Sequence, residues 1–269
     1  MSEGLNAPVL RVLSLGAGVQ STTLALMAAH GEIGPMPDCA IFADTGDEPA
    51  AVYEHLHWLA SGNVLPFPVH IVSADKLSER LQAGEDLARI PCHVGAGGMS
   101  GRQCTRNYKL RPIRREVRRL LDVGPRGYIA PGAVEMRVGI STDEAIRMKP
   151  SGAAFLTNRH PLIERFISRE DCKRWLATHG YPLPPQSRCI YCPFQSNAGW
   201  RGIQAVPAEW SFVVDLDRWL REPAQVARFH GELFLHKSKR QLEIADRSEP
   251  ALPLFGGEFA HECEGMCGV

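Results

Sequence analysis

The chain has 269 residues, and its 30 lysines and arginines are balanced by 30 aspartates and glutamates, so the formal charge is zero. At 44% hydrophobic residues it has a globular composition, which excludes a disordered or collagen-like chain. Zero net charge argues against a protein that coats nucleic acid over its whole surface, but leaves room for a local basic patch.

Residues 9–15 form a short β-branched and leucine-rich run that reads as a strand, closed by Gly16-Ala17-Gly18. Residues 20–30 read as a helix ending near Gly31, and residues 39–43 as a second buried strand. Residues 49–59 read as a second helix with Pro49 in its first turn. Residues 69–72 give a third strand, and Asp75 is placed to cap the next helix. Alternation of this kind predicts a parallel sheet with right-handed crossovers. The glycine-rich stretch 84–102 reads as a long mobile loop. A basic helix is expected over 107–121, a strand over 136–140, and a helix over 168–179 opened by a capping box at Ser168 and Asp171. Pro182, Pro184 and Pro185 force an extended segment before Cys189, and the region after Gln195 reads as helical.

Two turns carry chemistry. Ser14, Gly16, Gly18, Gln20, Ser21 and Thr22 lie between the first strand and first helix. Small residues there let backbone N–H groups approach a phosphate, and the helix N-terminus adds partial positive charge. No Gly-Lys-Ser/Thr follows, so this is not a Walker A loop. The second strand runs into Asp44-Thr45-Gly46, which would face the ligand crevice of a parallel sheet. Either turn also has a purely structural reading, as a tight turn or a cap.

Taken in order, these motifs resemble the PP-loop superfamily, and within it the phosphoadenosine-phosphosulfate-reductase-like branch. Further along, Cys104-Thr-Arg-Asn-Tyr-Lys109-Leu-Arg111-Pro112 is similar to that branch's Cys-Cys, Lys and Pro-Leu segment. Gly139 to Arg147 is similar to its Gly, Glu and Arg segment, and Cys189-Ile-Tyr-Cys192 to the Cys-x-x-Cys of its iron–sulfur members. The resemblance covers roughly residues 10–200. It implies an α/β, Rossmann-like doubly wound parallel sheet over 1–185, with a mainly helical, cysteine-containing region over 186–269 packed on it. The glycine turn and Arg147 would hold the phosphates of ATP or another adenine nucleotide, with Asp44, Thr45 and Gly46 near the ribose or a magnesium ion. Lys109 and Arg111 would act at the reacting centre. The sequence departs from the family's Ser-Gly-Gly-x-Asp-Ser at one position, where Gln20 stands for the aspartate.

No stretch approaches the roughly 18–20 apolar residues of a membrane span, and the N-terminus lacks a secretory signal's pattern. A cytoplasmic protein without a membrane partner is expected. In that reducing setting the eight cysteines read as metal ligands, redox groups or buried small residues. Cys189 and Cys192, with Cys104, suit zinc or an iron–sulfur cluster, and the resemblance favours [4Fe–4S]. Thr105 stands where the family's second cysteine would be, so the fourth ligand falls to a tail cysteine or one iron stays open. Cys263 and Cys267 in the tail either ligate the cluster or, as in sulfonucleotide reductases, supply the nucleophile. Cys39 and Cys172 read as buried small residues, and Cys92 carries no assignment.

Residues 102–119 hold eight basic side chains against one acid, Glu116, a local charge of +7. Such a face suits phosphates, either of a small nucleotide or of a nucleic-acid backbone, or is a solvated helix face. The resemblance implies an adenine-nucleotide-dependent sulfurtransferase that adenylates an acceptor and then transfers sulfur from a donor, the acceptor being a nucleic acid held at 102–119. The alternatives are a phosphosulfate reductase working with a thioredoxin-type reductant, and a nucleotide- or nucleic-acid-binding protein without turnover.

Overall fold

The computed structural model describes residues 8–85 and 88–248. A five-stranded parallel sheet forms its centre. The strands are β1 (Leu10–Leu15), β2 (Cys39–Asp44), β3 (Val69–Ser73), β5 (Val134–Val138) and β6 (Leu156–Arg159), in the order β3-β2-β1-β5-β6. This is the doubly wound α/β arrangement, and the strand order reverses at β1. The carboxyl ends of β1, β2 and β5 therefore open onto the crevice where such sheets take ligands. In register, Ser14 lies beside Ile41 on one side and Val138 on the other.

Both faces of the sheet's centre are buried, so β1 and β2 read as largely apolar runs. Leu13, Leu15, Ala40 and Phe42 pack with α1 (Val19–Ala29), α2 (Ala50–Ala60) and α6 (Arg169–Thr178). Val12, Cys39, Ile41, Ala43 and Met136 pack on the other face, with Ile113 and Val117 of α4 (Arg111–Leu120). Each fully buried leucine or isoleucine contributes about 1.5–3 kcal/mol. Cys39 and Cys172 sit within these two cores, as small apolar residues would.

A third core draws on two parts of the chain. Leu77 and Leu81 of α3 (Leu77–Gln82), Cys92 and Tyr108 pack with Tyr191, Trp200, Leu216 and Leu235. Trp200 and Leu216 come from α7 (Asn197–Gln204) and α8 (Pro207–Trp219), followed by α9 (Pro223–Phe229). Among the described residues, no helix is long and apolar enough to cross a membrane.

Several expectations are corrected. The glycine-rich stretch is tied down: β4 (His93–Val94) pairs antiparallel with β7 (Leu233–Phe234), and the Cys92 amide donates to Ser100 Oγ at 2.7 Å. Asp75 does not cap α3; Lys76 holds the cap position, and Asp75 is in the left-handed region at φ 72°. The basic helix begins as a π-helical turn, Thr105–Leu110, before α4. Pro112 has no N–H to bond back into that turn, so a regular helix cannot run through it. Strand β6 is a polar four-residue edge strand that pairs only with β5, which is why its pattern is invisible in the sequence. The capping box at Ser168 and Asp171 is present.

Candidate active site at the strand ends

The turn after β1 is closed by its own side chains. The Gly16 amide donates to Ser21 Oγ at 3.1 Å. Between the two glycines, Ala17 is in the left-handed region at φ 57° and fully buried. A non-glycine residue there costs of order 1–2 kcal/mol, and such backbone cups turn amides toward an anion. Ser14 Oγ is buried at the end of β1 with no partner in the described chain. A buried hydroxyl that no protein group satisfies suits a polar ligand. Thr22 is oriented otherwise, because its hydroxyl meets His55 Nε2 of α2 at 3.0 Å.

Gln20 is wholly buried and locked from both ends. Its Nε2 donates to Glu144 Oε2 at 3.2 Å and to Ser141 Oγ at 3.3 Å, while its Oε1 accepts from Arg169 Nη1 at 2.8 Å. Arg147 is ion-paired with the same Glu144. The site thus has a carboxylate at Glu144 rather than at position 20, ion-paired to Arg147, with Arg169 bonded to the other end of Gln20. Arg147, Lys149 and His160 line a small pocket beyond the end of β5.

The loop after β2 joins this crevice to the cysteines. Asp44 Oδ1 accepts from the Gly46 amide at 2.7 Å and from Tyr53 Oη at 2.8 Å. Gly46 has φ 77°, and a Cβ there would come within 2.8 Å of Lys76, so glycine is required. Thr45 Oγ1 lies 3.1 Å from Cys189 Sγ. Asp47, almost fully buried, accepts from the Ser78 amide at 2.8 Å, Ser78 Oγ at 2.7 Å and Tyr191 Oη at 2.7 Å. The Ile190 amide donates to the Asp47 carbonyl at 2.9 Å. Burial raises the Asp47 carboxyl above its ordinary value, against the pull of those hydrogen bonds.

Cys189 and Cys192 bound a tight turn in which the Cys192 amide donates to the Cys189 carbonyl at 2.9 Å. Cys104 and Cys189 pack against the same third core. None of the six described cysteines is in a disulfide. Burial pushes the Cys189 thiol well up, reinforced by Glu48 and opposed by Lys109. Lys109, in the π-helical turn, pairs with Glu48 at 3.3 Å, both side chains being almost fully buried. Arg188, immediately before Cys189, is also buried; its Nη1 donates to the Phe194 carbonyl at 3.0 Å, and its Nε and Nη2 have no partner in the described chain. Buried guanidinium donors left without a protein partner suit an anionic group. Cys263 and Cys267 lie outside the described residues.

Arg111 and Arg115 of α4 are exposed, and Arg114, Arg118 and Arg119 line the same open cleft of about 740 Å³. Three of these have structural partners as well. Arg114 bonds the Ser151 carbonyl, Arg118 bonds the Gly124 and Gly127 carbonyls, and Arg119 pairs with Glu116. Glu48, Asp47, Tyr191, Arg169 and Arg188 were not singled out from the sequence. The acidic pair after Gly46 and the arginine adjoining Cys189 were the available signals.

No family model matches the chain, and no curated protein matches it. Among solved structures it is similar to phosphoadenylyl-sulfate (PAPS) reductase from Candida auris, determined as a phosphate complex. The TM-score is 0.45 and the identity 14%, over 67% of this chain and 77% of that one.

Proposed function

We propose that the protein is an adenine-nucleotide-dependent enzyme of the PP-loop type that transfers sulfur to a nucleic-acid acceptor. The observation that carries this reading is the continuity between crevice and cysteines. One short loop, 44–48, ends β2 at the crevice and also touches Cys189, Ile190 and Tyr191.

In this reading the Gly16–Gly18 turn and the N-terminus of α1 hold nucleotide phosphates, with Arg147 and Arg169 flanking them and Glu144 or Asp44 available to magnesium. An acceptor oxygen attacks the α-phosphate of ATP and pyrophosphate leaves. The amides and guanidinium groups stabilise the charge that develops. A hydrosulfide equivalent then displaces AMP, so the acceptor gains sulfur in place of oxygen with no net redox change. Cys104, Cys189 and Cys192 would hold a [4Fe–4S] cluster, with Cys263 as a candidate fourth ligand. When bound, such a cluster can carry an exchangeable sulfur or relay electrons. Lys109 and Arg188 supply positive charge beside the cysteines. Six described cysteines outside any disulfide fit a reducing, cytoplasmic setting.

The test is anaerobic purification of the full chain, then iron, zinc and sulfide analysis, followed by assay with ATP, hydrosulfide and a nucleic-acid pool. The reading expects bound iron and sulfide, their loss in Cys189→Ala, and acceptor-dependent AMP and pyrophosphate. Sulfite release from a phosphosulfate nucleotide, without pyrophosphate and abolished by Cys263→Ser or Cys267→Ser, would establish a reductase instead. A colourless zinc protein that binds ATP without turnover would overturn both.

A further inference from the structure

A second cluster of ligand-type side chains lies at the far end of α1 from the glycine turn. His30 caps the C-terminus of α1, Glu32 follows in the turn, and His179 caps the C-terminus of α6. One ligating atom from each lies within 4.8 Å of the other two, and among the described residues no other group of three is so gathered. We propose that His30, Glu32 and His179 form a zinc-type divalent metal site that ties the ends of α1 and α6 together.

The surrounding hydrogen bonds set each side chain for this role. His179 Nδ1 lies 2.9 Å from the Trp175 carbonyl. A carbonyl only accepts, so Nδ1 carries the proton and Nε2 is left with its lone pair. That Nε2 faces Glu32 Oε1 at 3.7 Å. This is long for a direct hydrogen bond. It is close to the about 3.3 Å that separates two ligands on a tetrahedral ion with bonds near 2.0–2.1 Å. Glu32 Oε2 is occupied by the Trp175 indole N–H at 3.0 Å, which leaves Oε1 to the metal. His30 Nε2 meets Tyr181 Oη at 2.8 Å, which leaves Nδ1. Each of the three candidate ligands is thus oriented through its other polar atom, as metal ligands are by their outer partners. Trp175 also stacks on the His179 ring at 4.0 Å between centroids, fixing its plane. Two imidazoles and one carboxylate suit zinc, with a water in the fourth position because His30 and His179 are exposed.

The competing account is a plain His179–Glu32 ion pair among aromatic rings. Zinc alone, added to the cluster-loaded protein at about a hundredfold excess over its dissociation constant, is expected to raise Tm by about 5 °C. Glu32→Gln and His179→Gln should each remove the shift, while Cys189→Ala should keep it. X-ray absorption of the zinc-loaded wild-type protein should show a nitrogen and oxygen shell with imidazole scattering and no sulfur. That measurement needs no variant to fold. Absence of a zinc-dependent shift in the wild type, or a sulfur-containing zinc shell, would overturn the site.

Discussion

Thr45 Oγ1 and Cys189 Sγ lie 3.1 Å apart across 144 residues of chain. This contact ties the end of a central sheet strand to the cysteine turn. Thr45→Val removes the hydroxyl and little else. A neutral hydrogen bond of this kind is worth about 1 kcal/mol, so the fold should stand. If Cys189 holds a cluster as proposed, iron release to a chelator should be several-fold faster than in the wild type, and the proposed turnover slower. Unchanged release and turnover together would show that the contact couples nothing.

Asp47 anchors the same loop more strongly. It satisfies three buried donors, two on Ser78 and one on Tyr191. Asp47→Ala leaves all three without an acceptor, and the penalty for each is about 1–3 kcal/mol, non-additively. We expect a loss of roughly 3–5 kcal/mol in denaturant unfolding. Asp47→Asn keeps one acceptor oxygen and should lose less. A loss below about 1 kcal/mol for Asp47→Ala would mean that the loop is held by other contacts.

These two residues also show what the sequence could and could not display. The sheet was legible because β1 and β2 are largely apolar runs between turn residues, and the adjacency of the two crevice turns followed from the order of the strands. Thr45 and Cys189 each stood in a visible motif. Their contact did not, because nothing local encodes a meeting between positions so far apart. The partners of Gln20 were hidden for the same reason: Glu144 and Arg169 reach it from other elements. Edge strand β6 and the pairing of β4 with β7 were hidden because short polar strands carry no period-two pattern.

His55 gives the fold a pH dependence. Burial lowers its pKa from 6.5 to about 4. The folded state therefore refuses a proton that the unfolded chain accepts below pH 6.5. Stability is unaffected by this group above that value and falls as pH drops from 6.5 toward 4. The full span corresponds to roughly 3 kcal/mol. In urea melts, His55→Gln should flatten the slope of unfolding free energy against pH across that window. Identical slopes in the two proteins would assign the acid sensitivity to other groups.

Lys109 and Glu48 form a buried pair beside Cys189. Lys109→Met strands a carboxylate in the interior, and breaking such a pair costs about 3–5 kcal/mol. Removing both charges in Lys109→Met with Glu48→Gln should restore most of that stability. Turnover should not return if the ammonium acts on the reacting groups. Recovery of turnover along with stability would reduce Lys109 to a structural role.

The basic cleft is tested by separating its free arginines from its engaged ones. Arg111 and Arg115 are exposed on α4, whereas Arg114, Arg118 and Arg119 have carbonyl or carboxylate partners. Each phosphate contact contributes about 0.7–0.9 to the slope of log affinity against log salt. Arg111→Glu with Arg115→Glu should therefore lower that slope by about 1.5, measured by anisotropy with a labelled oligonucleotide. Arg174→Glu, on the exposed surface of α6, is the control for a nonspecific charge effect and should leave the slope nearly unchanged. Equal slopes for the double variant and the wild type would remove the cleft as the nucleic-acid surface and leave those arginines as a solvated helix face.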